Sequence, residues 1–257
     1  MIRKILLSPA IRPFILILLL LVLWDLSIRF FKVPAYLIPP PGQVVDQLVA
    51  EWARLLKESW KTTQATLGGF ALTIIIGIPL AMLIAYSKLI ESYVYPLLVF
   101  SQSIPKVAIA PLFVVWFGFG IVPKIISAFL LGFFPVVVST VMGFKSVEPD
   151  MLDLARSMGA SRLQTFFKIS LPQALPAIFS GLKVSITLAV VGAVVGEFVG
   201  SNSGIGYVLQ VATGNFDLPL MFAALVVLSS IGVVLFMVVD LVERLMIPWH
   251  PSQNQIL

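Results

Sequence analysis

Long apolar stretches alternate along this chain with short polar ones, and the apolar stretches are of membrane-spanning length. The run from Phe14 to Trp24 predicts a first helix over about 13–31, with Arg3 and Lys4 before it. Arg29, Phe30, Phe31 and Lys32 follow it instead of a small-residue cleavage site, so it reads as a retained span. Segment 32–60 opens on Pro34, Pro39, Pro40, Pro41 and Gly42, then turns amphipathic through Glu51, Trp52, Arg54, Lys57 and Trp60. That pattern predicts an external helix lying on the bilayer surface. Further spans are predicted at about 62–86, 93–117, 124–143, 181–200 and 219–242, and 93–117 carries Pro96, Pro105 and Pro111. Between the fourth and fifth lies a polar segment, 144–180, with Lys145, Glu148, Asp150, Asp153, Arg156, Arg162 and Lys168, which does not belong in hydrocarbon. Its Pro172 and Pro176 are expected to end it and to set the angle at which the chain re-enters the bilayer.

Composition narrows the class. Only 11% of the 257 residues are charged and 59% are hydrophobic, against roughly 25% charged in a soluble domain. The expected fold class is all-α: a polytopic integral membrane protein of about six transmembrane helices, forming one domain over 1–257. A net charge of +5 would suggest nucleic acid in a soluble protein; here the cations read as a topology signal and no nucleic-acid partner is expected. With the N-terminus inside, the cytoplasm receives basic residues 3, 4, 12, 88, 145, 156, 162, 168, 183 and 244. The outside receives 29, 32, 54, 57, 61 and 124, with Lys106 left within a span. The excess inside favours both termini in the cytoplasm. There is no cysteine, and the one histidine, His250, stands beside Pro248, Trp249 and Pro251. Thiolate sites, haem pairs, histidine zinc sites and Ser–His proteolysis are thereby excluded, and no metal site or catalytic residue is expected. No Gly-Lys pair occurs anywhere, so the phosphate-cradling loop of an ATPase is missing and energy must come from another subunit or an ion gradient.

The polar segment has internal design. Asp150 to Met158 reads as a short helix, acidic then basic, which Gly159 can stop in the left-handed conformation. Ser161 then caps a second short helix over about 162–168. Two short helices joined by a glycine hinge form a handle that a partner could push.

Asp153-Leu154-Ala155-Arg156-Ser157-Met158-Gly159, nine residues, then Ile169-Ser170-Leu171-Pro172 resembles the signature loop of binding-protein-dependent ABC importer permeases. The spacing matches throughout, with Asp153 where that family has Glu and Leu154 where it has Ala. Further residues extend the resemblance along the chain: Ile104-Pro105, Ala110-Pro111-Leu112, Trp116-Phe117-Gly118, Phe133-Phe134-Pro135, Gly196-Glu197-Phe198, Gly204-Ile205-Gly206-Tyr207, and Glu243-Arg244 with Pro248-Trp249. They are most similar to the branch serving nitrate, sulfonates, taurine and thiamine precursors. The resemblance implies a multi-pass subunit of the bacterial inner membrane, surrounded by lipid, that pairs with a second permease copy. It also implies two cytoplasmic ATPase subunits, which would hold ATP and Mg, and a periplasmic binding protein that delivers solute; this chain itself would bind no cofactor. The implied ATPase-coupling residues are Asp153, Ala155, Arg156, Gly159, Ala160, Ile169, Leu171 and Pro172.

Within the spans, Gly192, Gly196, Gly200 and Gly204, with a second row of Gly181, Ser185, Ala189 and Ala193, predict close helix contact, within the chain or at a dimer seam. Glu197 is a charge inside a bilayer, which calls for a partner, a cavity or water. Both an anchor to a backbone amide or cation and a gate role are open for it. Lys106, beside helix-bending Pro105, could meet an anionic solute, and Gln102 and Ser103 join it as candidate path residues. Asp25 and Asp240 sit near helix ends, Asp240 one turn before Arg244. The solute expected from Lys106 and the branch is a small organic anion, with a vitamin or pyrimidine precursor as the alternative. An ion-coupled secondary transporter would need paired membrane carboxylates or an inverted repeat. An intramembrane enzyme would have to draw on the scattered Asp25, Glu197 and Asp240.

Overall fold

The computed structural model describes residues 12–34 and 37–249; Arg3, Lys4 and His250 fall outside them. Among the described residues ten helices follow in order: α1 Arg12–Phe31, α2 Pro41–Ala50, α3 Trp52–Tyr86, α4 Lys88–Gln102, α5 Lys106–Phe117, α6 Ile121–Lys145, α7 Pro149–Ser157, α8 Arg162–Gly200, α9 Ile205–Gly214 and α10 Leu218–Met246. Four of them, α3, α6, α8 and α10, are each long and apolar enough to cross a membrane. The pair α4 and α5 meets the same test together but bends by 97° at residues 103–105. Helix α1 adds 20 residues, with Ile15 to Leu23 turned outward. All-α, polytopic architecture is what the hydropathy pattern predicts.

The centre is the α6–α8 pair, which packs at backbone distance because one row of α8 is small. A β-carbon placed on Gly192 would lie 2.5 Å from the Ser127 carbonyl, and one on Gly196 would lie 2.8 Å from the Lys124 α-carbon. The glycine row therefore serves contact within the chain. Val136, Phe144, Ile178, Phe179, Leu182, Ile186 and Leu235 fill the space between α6, α8 and α10. A second cluster, with Val44, Leu55, Ile205, Val208, Leu220 and Ala223, joins α2, α9 and the leading ends of α3 and α10.

Three expected boundaries are corrected. Segment 32–60 is not one surface element: α2 ends at Ala50, and from Trp52 the chain is already in the helix that runs unbroken to Tyr86. The buried Leu55 and Thr62 hold that leading end in the bundle. The expected span 93–117 is a bent pair, because Pro105 has no amide hydrogen and takes an extended ψ of 100° before α5 restarts. The polar segment is shorter than 144–180, since Pro172 and Pro176 do not end a helix; both lie inside the continuous α8.

The reason is a π-turn at Phe166–Ser170. In an α-helix a proline clashes with the carbonyl four residues back, and for Pro172 that residue is Lys168, inside the wider π-turn. There the hydrogen-bond pattern is already shifted, and Leu171 N–H donates to Phe166. Helix α3 repeats the device, with a π-turn at Thr73–Gly77 followed by Pro79.

Several charged residues near helix ends are paired. Asp240 accepts from Arg244 at 2.8 Å and from Lys183 at 2.5 Å, while Lys183 also pairs with Glu243. Asp25 pairs with Arg29 at 2.7 Å, and Lys145 with Glu91 across the α4–α6 boundary.

Candidate coupling loop and translocation site

The loop between α6 and α8 is built by its caps. Helix α7 begins at Pro149 with Asp150 in its first turn and ends with Arg156 in its last, so both charges complement the helix dipole. Its C-terminus is closed by two backbone bonds, Gly159 N–H to Arg156 and Ala160 N–H to Ala155, each 3.0 Å. Gly159 stands at φ +77°, as that closure requires. Two residues on, Ser161 accepts from Gln164 N–H at 3.3 Å, and the Gln164 side chain accepts from Ser161 N–H at 2.8 Å. This reciprocal cap starts α8 at once and turns the chain back toward the bundle.

The predicted coupling residues fall on two sides of this turn. Asp153 and Arg156 are exposed and pair with each other at 2.9 Å. Ala155 is buried under the turn, Gly159 is exposed and Ala160 half-buried. Ile169, Leu171 and Pro172 are half-buried where α8 enters the bundle, and Leu171 packs on its apolar core. Beside them runs an outward apolar face: Met151, Leu154 (61% exposed) and Met158 (78%) on α7, then Leu163 and Phe167 on α8. Nothing among the described residues covers it.

Sequence reasoning missed Phe166. Its ring lies 5.9 Å from Phe144 on α6 and 6.3 Å from Tyr86 on α3, which is itself 5.7 Å from Phe144. The trio ties the base of the loop, where α8 begins, to two spans through packed rings. Only the aromatic residue type marked these positions, since the partners lie far apart in sequence.

The candidate path residues do not converge. Gln102 and Ser103 are exposed at the α4–α5 bend, and Lys106, half-buried, donates to Gln102 Oε1 at 2.7 Å. Glu197 stands elsewhere, 0% exposed, at the far end of α8 from the loop. It accepts from Thr62 Oγ1 at 2.9 Å and from Gly206 N–H at 2.7 Å, with Lys124 Nζ at 3.6 Å. Lys124, counted above among the external loop cations, is only 3% exposed and donates to the Ser203 carbonyl at 2.7 Å. Glu58 accepts from Gly204 N–H at 2.5 Å, and Thr62 Oγ1 accepts from Ile205 N–H at 2.8 Å. The leading turn of α9 is thus held by side chains of α3, α6 and α8. Gly204 makes this possible: at φ +103° it would carry a β-carbon into the Glu197 carboxylate. Glu197 therefore has the two partners named for an anchor, a backbone amide and a cation. A charge in a span requires such a partner, but Lys124 at the predicted helix start resembled a solvated loop cation.

A bundle of apolar helices with a polar loop at one end defines the class, a polytopic helical membrane protein. Its fold matches a solved structure described as inward facing conformations of the MetNI methionine ABC transporter, with a TM-score of 0.62 over 77% of this chain and 97% of that one at 20% identity. Residues 74–248 match the family described as binding-protein-dependent transport system inner membrane component, and the chain belongs to that family. It is 38% identical to the formylaminopyrimidine transport permease protein ThiX of Halalkalibacterium halodurans, over 95% of this chain and 98% of that protein. It is 36% identical to the riboflavin transport system permease protein RibX of Chloroflexus aurantiacus, over 95% and 92%. With the taurine transport system permease protein TauC of Escherichia coli the identity is 29%, over 90% and 86%. The chain is an ABC importer permease, a multi-pass subunit of the inner membrane, and the relatives fall in the branch that the sequence motifs resembled.

Proposed function

We propose that this chain is the translocating subunit of an importer for a nitrogen-heterocyclic vitamin precursor, driven through the α7 loop by ATPase subunits of a separate chain. The observation that carries the reading is the loop: a short helix closed at its C-terminus, with an exposed Met151, Leu154 and Met158 face, followed by a ring contact from the start of α8 into two spans. In this reading the ATPase dimer, holding ATP and Mg, docks on Asp153, Ala155, Arg156, Gly159 and Ala160, and Ile169, Leu171 and Pro172 seat the loop in the bundle. Two copies of the permease enclose the path, a periplasmic binding protein delivers the solute, and both termini lie in the cytoplasm. The chain performs no covalent chemistry; it switches access as α7 moves.

Two relatives named for formylaminopyrimidine and riboflavin, at 38% and 36% identity over nearly the whole chain, support a heterocyclic solute over the 29% relative named for taurine. Charge supports it too, since Lys124 and Lys183 are each paired with carboxylates and offer no free cation to an anion. The second reading, a small organic anion, is favoured by Lys106, which donates to the neutral Gln102.

The test is co-purification of tagged permease with its candidate ATPase, native against Leu154→Asp, followed by ATP-driven uptake in vesicles. Loss of the ATPase with an unchanged melting temperature is the expected result. Retention of the ATPase by Leu154→Asp overturns the docking assignment, and uptake that follows a proton or sodium gradient overturns the importer mechanism.

A further inference from the structure

Helix α8 ends in a way that α7 does not. No amide of the following residues donates to the carbonyls of its last turn, Glu197 to Gly200; Ser203 N–H turns to Ser201 Oγ and Gly204 N–H to Glu58. The carbonyls of Phe198, Val199 and Gly200, at the negative end of a 39-residue helix, thereby receive no capping donor among the described residues. Phe198, Val199 and Gly200 of that turn, though not the fully buried Glu197, line a pocket of ≈ 460 Å³ together with Phe119, Ser201, Asn202 and Gln210. None of these lining residues is charged. Phe119 and Phe198 present exposed rings, and the side-chain amides of Asn202 and Gln210 are exposed without a protein hydrogen bond. Lys124, the cation closest in this network, is committed to Ser203 and Glu197.

We propose that this pocket is a solute subsite selective for hydrogen-bond donors on an aromatic nitrogen heterocycle, such as an exocyclic amino group. Free carbonyls at a helix C-terminus accept N–H groups and favour positive charge. Aromatic faces add stacking and cation attraction. The same carbonyls repel a sulfonate or carboxylate, which has only acceptors to offer. The pocket walls are set by the buried network described above, because Ser201 and Asn202 lead directly into the Ser203–Gly206 turn that Lys124, Glu58 and Glu197 hold. The subsite rests on the heterocycle reading above and sharpens it to donor-bearing rings.

The full-length permease in nanodiscs is titrated by calorimetry with three probes: 4-aminopyrimidine, unsubstituted pyrimidine and ethanesulfonate. The expected order is 4-aminopyrimidine at least about tenfold tighter than either of the others, the scale of one hydrogen bond to a desolvated acceptor. Phe198→Ala is expected to weaken 4-aminopyrimidine about fivefold by removing a ring face. Gln210→Arg places a guanidinium before the carbonyls and is expected to abolish its binding. Residues 198 and 210 are exposed, so melting temperatures should stay at the native value, and they are measured alongside. Equal binding of the three probes, or binding indifferent to Gln210→Arg, overturns the subsite. A separate arm measures ATP-driven uptake of the aminopyrimidine by the native permease–ATPase–binding-protein assembly. Absence of uptake together with transport of ethanesulfonate overturns the heterocycle reading itself. Uptake that persists undiminished in Gln210→Arg overturns the subsite alone.

Discussion

Removing one member of the Lys124–Glu197 pair should cost more than removing both, and the size of the difference can be worked from the geometry. The two charges stand 3.6 Å apart and are essentially out of solvent. Coulomb's law at an effective dielectric of about 20 places their attraction near 5 kcal/mol. Desolvation and relaxation reduce the net coupling to about 2–4 kcal/mol. Lys124→Met keeps the length of the side chain and strands Glu197 with its donors from Thr62 and Gly206. Glu197→Gln keeps an acceptor for Gly206 N–H and strands the Lys124 ammonium on the Ser203 oxygens. Each single variant should lose about 3 kcal/mol, the usual cost of leaving a buried charge alone. In a domain of this size that is a fall in melting temperature of about 6–12 °C. The double variant leaves no charge behind and should recover most of the loss. Thermal unfolding in one detergent, followed for all four corners of the cycle, gives the coupling directly. A double-variant loss equal to the sum of the single losses, within about 0.5 kcal/mol, would refute the pair as an interacting buried unit.

Three other outcomes follow from particular contacts. Gly159 has open space around it, so substitution there meets only its positive φ; Gly159→Val should destabilise the loop by about 1–2 kcal/mol and Gly159→Asn by less, read as faster amide exchange over 149–160. Phe166→Ala should lower stability by about 1.5–3 kcal/mol and reduce solute-stimulated ATP hydrolysis in the assembled importer, because the ring trio is lost while the α7 surface stays intact. Gly192→Val should lower the melting temperature steeply, since its β-carbon would meet the Ser127 carbonyl and the Ala128 backbone; a native-like melt would show that α6 and α8 can separate at little cost.

Much of the loop was legible because its signals are local. Gly159 closes α7 through residues 155 and 156, and Ser161 caps α8 through Gln164, all within a few positions in the chain. The α8 glycine row was legible as close packing, and α6 proved to be its partner. Glu197 was legible as a charge in need of a partner, yet Lys124 was not, because a lysine near a helix start is ordinarily solvated. Burial of that lysine depends on Ser203 and Glu197, 79 and 73 residues away in the chain, arriving at the same point. Trp52 and Trp60 looked interfacial by residue type, and the continuity of α3 through them depends on Leu55 and Thr62 being covered by α9 and α10.

The sequence by itself determined that this chain lives in a membrane, in what order its apolar segments follow, that its polar segment resembles an importer loop, and that no Gly-Lys phosphate loop occurs in it. Those properties are sums over composition or follow from neighbours in the chain, which hydropathy and spacing record. Tertiary structure alone decided that two proline-bearing helices continue through π-turns, that the third span folds over at Pro105, that Phe166 ties the loop to two spans, and that Lys124 is buried against Glu197. Each of these depends on groups distant in sequence sharing one low-dielectric space, where packing and charge pairing outweigh local preference.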